Sequence, residues 1–201
     1  PIRQYTFEFD LVFVRRNDLE STQARFKKSD IKKETYIVTV CEKSTGLCAT
    51  DYTTTKLAKD VTPKVIKAIK KLAQKLGIKD LKKCASASDS GGEFNIKEIL
   101  KIIGTHKTEK LAPAIEQKNR MIQRHLFGVL RSRKTTNLRE AIQMSEDLVN
   151  NTYNRIQKKT PNESASQDEE KTAIQNYNKE RKKGEKGRQV QVGDFVRITV
   201  T

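Results

Sequence analysis

The 201-residue sequence predicts an α/β domain, a mixed sheet with helices packed on it, and three observations predict that class. The first is alternation from residue 4 to 14. Tyr5, Phe7, Phe9, Leu11 and Phe13 point one way, and Thr6, Glu8, Asp10, Val12 and Val14 point the other. The second is a pair of β-rich runs, 35–45 and 47–54, joined around Gly46 as an antiparallel hairpin. The third is a change of apolar period after residue 62, from two to about 3.6, with a short strand between helical stretches.

Taken in order, the first strand carries Asp10 at its middle, and by itself that acid reads as one on the solvated face of an edge strand. Residues 15–34 are polar and read as a long hairpin loop or insertion. Thr62 as N-cap and Pro63 at N1 open a helix, with Val65, Ile69, Leu72 and Leu76 as its apolar stripe and Gly77 at its end. Lys64, Lys67, Lys70, Lys71 and Lys75 cover its other face, a solvated surface or a DNA contact. Residues 81–88 return as a buried strand of small residues that delivers Asp89 to its C-terminal end. Gly91-Gly92 then turn the chain through positive φ. Asn95 and Glu98 stand at N-cap and N3 of a helix with Ile96, Ile99, Leu100, Ile102 and Ile103 as apolar residues, and Gly104 suits C′. Residues 105–112 read as a loop.

A long helix follows from Pro113 to Arg133, with Ile115, Ile122, Leu126 and Val129 or Leu130 toward the core. Glu116 sits in its first turn, where the helix dipole favours negative charge. From Lys118 to Arg139 there are seven Lys/Arg and no acid, and Asn119, Arg120 and Gln123 share the face of Glu116. On spacing alone, Glu116 either heads a functional stripe or merely offsets the dipole. Asn137 and Glu140 start another helix, with Leu138, Ile142, Ser145, Leu148 or Val149, and Tyr153 along one side, closed by Thr160-Pro161. The domain spans 1–163. Residues 164–188 are a charged linker, and 189–201 resume a β pattern around Gly193-Asp194 as the start of a small β-barrel or chromo-like module.

Strand, strand, strand, helix, strand, helix is the order of the ribonuclease-H-like fold, a mixed five-stranded sheet flanked by helices. That fold sets the first and fourth strands side by side and parallel, so Asp10 and Asp89 meet across the ladder. The net charge of +16, from 41 Lys+Arg against 25 Asp+Glu, points to an anionic polymer as partner, with a basic ribosomal-type protein as the bland alternative. No apolar run approaches membrane-spanning length, no signal peptide opens the chain, and a first residue of Pro fits an excised piece. Cys41, Cys48 and Cys84 with His106 and His125 give no zinc spacing and read as reduced, intracellular thiols.

Several stretches, in this order, carry a resemblance. They are FEFDLVFV around Asp10, YIVTVCEKSTGLCATDYTTTKLAKDV, SDSGGEF around Asp89, APAIEQKNRMIQRHL around Glu116, NLREAIQMSEDLVNNTYNRIQKKTPNES, and VQVGDFVRI in the tail. Together they resemble the integrase core of retroviruses and retrotransposons, and more closely the integrases of Maverick/Polinton-type DNA transposons and virophages. The resemblance implies a polynucleotidyl transferase that trims the 3′ end of element DNA and transfers it into target DNA. It implies Asp10, Asp89 and Glu116 as the catalytic acids and as ligands of two Mg²⁺ or Mn²⁺ ions, with Asp10 shared between them. It implies double-stranded DNA as partner, contacted by Lys118, Asn119, Arg120, Gln123, Arg124, Arg131 and Arg133, a homo-oligomeric assembly without a membrane, and a place in the host nucleus or a viral particle. The family's N-terminal His/Cys zinc module is absent from this sequence. The spacing departs too: 26 residues separate Asp89 from Glu116 where the family has about 35. Either Glu116 is the third acid on a trimmed loop or the triad is damaged. Glu109 and Glu93 are the competitors, and Glu116 is preferred for the Asn-Arg run behind it. The alternatives are a catalytically disabled DNA-binding relic and a ribonuclease-H-like nuclease that only hydrolyses.

Overall fold

The computed structural model describes residues 5–15, 34–108, 113–133, 137–155 and 157–166. Glu109, the loop after Arg15, the linker beyond residue 166 and the expected β module at 189–201 lie outside the described residues.

Strands β1 (Thr6–Arg15), β2 (Glu34–Glu42) and β3 (Cys48–Thr53) form an antiparallel meander. β4 (Ala85–Ser88) and β5 (Thr105–Thr108) complete a five-stranded sheet in the order β3-β2-β1-β4-β5, with β4 parallel to both of its neighbours. The fold is the expected ribonuclease-H-like α/β architecture, and the run THKT, expected to be loop, supplies its fifth strand. β1 is therefore central, which corrects the edge-strand reading. Helix α1 (Ala58–Lys75) and the short α2 (Ile96–Leu100) pack on Phe7, Phe9, Val38, Val40, Leu47 and Ala49. Helices α3 (Pro113–Arg133) and α4 (Leu138–Asn150) cover the opposite face over Val14, Ile37, Cys41 and Cys48. The polar residues of β1 thus point into a covered layer: Glu8 is 1% exposed and pairs with Lys43 Nζ at 2.7 Å.

Local chemistry shifts several expected boundaries. α1 begins at Ala58, ahead of Thr62-Pro63, because a proline near the helix start forfeits a single backbone bond. Thr62 is instead buried, and its hydroxyl oxygen accepts the Asn95 N–H at 2.9 Å, tying α1 to the start of α2. α2 lacks the expected capping bond from the Asn95 side chain and stops at Leu100. Gly91, Gly92 and Gly104 are not in the left-handed region; Gly46 and Gly77 are. Gly104 is needed for closeness instead, since a Cβ there would strike the Lys82 carbonyl. A 3₁₀ turn, Leu81–Lys83, occupies the start of the expected fourth strand. α4 ends at Asn150, leaving Tyr153 exposed, and Thr160 then caps α5 (Pro161–Ser164) with a full capping box. The β2–β3 register sets Cys41 directly opposite Cys48, and the two form a disulfide. That corrects the reading of three reduced thiols; Cys84 alone stays free, buried, with its thiol pushed up to about 11 by burial.

The outer edge of β3 is closed by side chains, which blunts an edge that would otherwise template another strand. Asn150 accepts the Cys48 N–H at 2.9 Å and donates to the Cys48 carbonyl at 2.8 Å. Glu146 accepts the Thr50 N–H at 2.6 Å, and Asp51 accepts the Tyr52 N–H at 2.8 Å. This edge anchors α4.

Candidate active site

The parallel β1–β4 ladder pairs Glu8 with Ala87, so two residues further along each strand stand Asp10 and Asp89. Asp10 faces the α3 layer, opposite Thr39 on β2. One carboxylate oxygen accepts the Leu11 N–H at 2.7 Å; the other accepts the Asn119 side-chain amide at 2.7 Å. Asp89 lies just past the end of β4, exposed, with Oδ1 accepting the Gly91 N–H at 3.1 Å. Glu116 stands one turn before Asn119, so α3 brings both toward Asp10. Its carboxylate also faces Arg120 at 3.6 Å.

Burial is the main reason that the Asp10 carboxyl sits above its ordinary value. The Leu11 N–H opposes that shift, while the negative charges of Asp89, Glu93 and Glu116 add to it. Four acids therefore share one neighbourhood. No lysine or arginine pairs with Asp10, Asp89 or Glu93 among the described residues.

The expected nucleic-acid residues divide along α3. Arg120, Arg124 and Arg131 are exposed and Gln123 is half-buried; the Arg133 side chain lies outside the described residues. Asn119 is 6% exposed and committed to Asp10, rather than free to meet a base edge. Lys118 turns inward against the β2–β3 turn, its amine near Gly46, and burial lowers it to about 8. The sequence held that signal: Lys118 is three residues after Ile115 and four before Ile122, both in the core. What spacing could not show was the place of Glu93, folded back over Gly91. A cavity of about 380 Å³ between α1 and α4, lined by Lys64, Lys67, Lys71 and Arg139, lies at the β3 edge instead.

The donor set suits a hard cation, being carboxylate oxygens only. Two further polar atoms beside Asp10, Asn119 Oδ1 and Thr39 Oγ1, are buried and unpartnered. Among the described residues no three His, Cys, Asp or Glu side chains are drawn close enough to hold one ion as they stand. A cation between such carboxylates would offset their mutual repulsion. In chemistry, as oxygen donors, Asp10, Asp89 and Glu116 suit Mg²⁺ or Mn²⁺; as they stand, they are not drawn together around one ion.

No family model matches the chain, and no curated protein does. Solved structures do. The HTLV-2 integrase catalytic core domain in complex with magnesium, trimeric form, superposes with a TM-score of 0.55 at 17% identity, over 79% of this chain and 93% of that one; a dimeric form is similar. The catalytic core domain of BIV integrase gives 0.56 at 18% identity, over 84% of this chain and 98% of that one. A chain of the simian T-cell lymphotropic virus intasome, in complex with PP2A regulatory subunit B56 gamma, gives 0.57 at 11% identity, over 80% of this chain and 55% of that one. At these identities the likeness shows the fold, that of integrase catalytic cores.

Proposed function

We propose that the chain is a divalent-cation-dependent polynucleotidyl transferase of integrase type, which trims the 3′ end of an element's DNA and joins it to target DNA. The observation that carries this reading is the juxtaposition of Asp10 and Asp89 on adjacent parallel strands, with α3 bringing Glu116 and Asn119 over them, on a fold shared with integrase cores. Mg²⁺ or Mn²⁺, held by Asp10, Asp89 and Glu116, would supply Lewis acidity at the phosphodiester. Asn119 fixes the Asp10 carboxylate by donating to Oδ2. Arg120, Arg124 and Arg131 run along the exposed side of α3 and would hold phosphates, an interaction that weakens as salt rises. No side chain need act as nucleophile, since water and then a DNA 3′ hydroxyl suffice. Double-stranded DNA, as element end and as target, is the substrate. A homo-oligomer is the working form, as the dimeric and trimeric forms of the HTLV-2 core suggest. The kinship with Maverick/Polinton and virophage integrases, and action in a host nucleus or viral particle, belong to the same proposal.

One observation favours a second reading, a DNA-binding relic: no three described acids are assembled for an ion. An oligonucleotide joining assay with Mg²⁺ or Mn²⁺ separates the two. The proposal expects joined products that are lost with Asp10→Asn, Asp89→Asn and Glu116→Gln and kept with Glu109→Gln. Loss with Glu109→Gln instead would move the third acid into the preceding loop. Salt-sensitive DNA binding without any product would favour the relic. Hydrolysis without joining would favour a nuclease.

A further inference from the structure

We propose that the trough along the outer edge of β3, between α1 and α4, is a phosphate-binding site separate from Asp10, Asp89 and the arginines of α3. Sheet order sets β3 two strands away from β1, which carries Asp10. The cavity at this edge holds about 380 Å³, and it borders a second hollow that shares Tyr52, Lys64 and Arg139 and adds Lys59. Lys64, Lys67 and Lys71 stand at i, i+3 and i+7 of α1, which brings all three to one side of the cavity, and Arg139 lines it from α4. Asp51 and Glu140 are the carboxylates in its wall.

The four cations differ in what holds them. Lys71 is engaged, its amine 2.6 Å from the buried Glu146. Lys64 and Lys67 share one carboxylate, Asp51, at 3.5 and 3.8 Å, beyond ordinary hydrogen-bond length, while Asp51 Oδ1 also accepts the Tyr52 N–H. Lys64 is half-buried, so its ammonium has given up part of its water without gaining a hydrogen bond among the described residues. Arg139 lays its guanidinium over the Tyr52 ring, 5.3 Å from the centroid, and no carboxylate of the described residues pairs with it. Stacking of that kind fixes the plane of the guanidinium and leaves its N–H edge open. Two ammoniums and one guanidinium therefore bring unspent donors to one concave place. A tetrahedral phosphate offers oxygens in enough directions for the Arg139 fork and both lysines together. A lysine row that only faced water would need neither a cavity nor an arginine from a second helix. Two sources carry such a group: the backbone of a nucleic acid, and a free nucleotide or polyphosphate.

The test is titration calorimetry of the full chain with inorganic pyrophosphate, in buffer free of divalent cations, so that the result is independent of any ion at Asp10 and Asp89. Saturable binding is expected, weakened at least about tenfold in Arg139→Gln and in Lys67→Gln. Lys97→Gln removes an exposed lysine from α2 and is expected to bind as wild type does. Asp51→Asn keeps an acceptor for the Tyr52 N–H but withdraws the competing charge, and should tighten binding severalfold, an effect that a purely structural role would not produce. A labelled duplex oligonucleotide then separates the sources. Duplex affinity that falls more in Arg139→Gln than in Lys97→Gln assigns the site to backbone phosphate, and equal affinity in the two assigns it to a free nucleotide or polyphosphate. Absence of pyrophosphate binding, or equal losses in Arg139→Gln and Lys97→Gln, would overturn the inference. So would binding that survives Arg139→Gln and Lys67→Gln but is lost in Arg124→Gln, which would place the phosphate on α3 and leave the proposed function standing. Should Arg139→Gln fail to fold by circular dichroism, Lys67→Gln and Asp51→Asn still decide.

Discussion

Glu146 and Asp10 are carboxylates held against the same sheet, and they are held in opposite ways. Glu146 is fully buried, and its environment is complete: the Thr50 N–H and hydroxyl, the Lys71 amine at 2.6 Å and the Gln143 amide all donate to it. Glu42 is similar, buried and saturated by the N–H and hydroxyl groups of Ser44 and Thr45. Asp10 is only partly buried, has two donors and, among the described residues, no cationic side chain paired to it, and it looks out at Asp89, Glu93 and Glu116. An acid that serves the fold is supplied with donors for its oxygens, charged or neutral, because a buried unsatisfied charge is costly. An acid left facing like charges is not accounted for by the fold, and a positive ligand is the reading proposed for it.

The sharpest way to break the comparison is to neutralise each acid in turn. Asp10→Asn should reduce strand joining by about a thousandfold or more, as expected when several kcal/mol of transition-state stabilisation are lost, while leaving the chain folded. Glu146→Ala should do the reverse, lowering the unfolding free energy by about 2–3 kcal/mol in urea melts by stranding the Thr50 N–H at the β3 edge. A Glu146 variant with unchanged stability would remove the contrast.

Lys118 sharpens it from the basic side, as a half-buried amine with no acid paired to it among the described residues. Its value of about 8 lies below the ordinary 10.5. Between those pH values the unfolded chain binds the extra proton, so stability rises with pH across that window and is least below it. Lys118→Met should raise stability at pH 7 by up to about 3 kcal/mol and flatten the rise. For Asp10 the sign differs. Its raised carboxyl costs the fold nothing below the unfolded value of 3.8 and most above the folded one, so Asp10→Asn should stabilise the apo chain at pH 7 but not at pH 3. The smallest effect belongs to Asn119→Ala, about 1 kcal/mol of stability for one hydrogen bond, accompanied by a larger loss of joining because Asp10 is freed.

Much of this was legible because periodicity and capping are local. The long helix from Pro113 to Arg133 has the bounds its apolar spacing predicts, and Asn137 caps α4 through the Glu140 N–H as expected. The pairing of Asp10 with Asp89 followed from strand order. Contacts between distant segments were not legible. Nothing in 105–108 announces a strand until β4 lies beside it, and nothing in the spacing of Cys41 and Cys48 fixes the hairpin register that joins them. The burial of Glu8 depends on α3 and α4 covering a face that alternation assigns to solvent. Within the site, the place of Glu93 was not legible either, because spacing along the chain does not reveal a side chain that folds back over its own turn.

Thermal unfolding of the full chain with and without millimolar Mn²⁺ tests the central claim most directly, with wild type, Asp10→Asn and Glu146→Gln side by side. A cation bound only by the folded state must raise the melting temperature. The account predicts a rise for wild type and for Glu146→Gln, whatever their starting values, and none for Asp10→Asn. An equal rise in Asp10→Asn, or no rise in wild type, would contradict it.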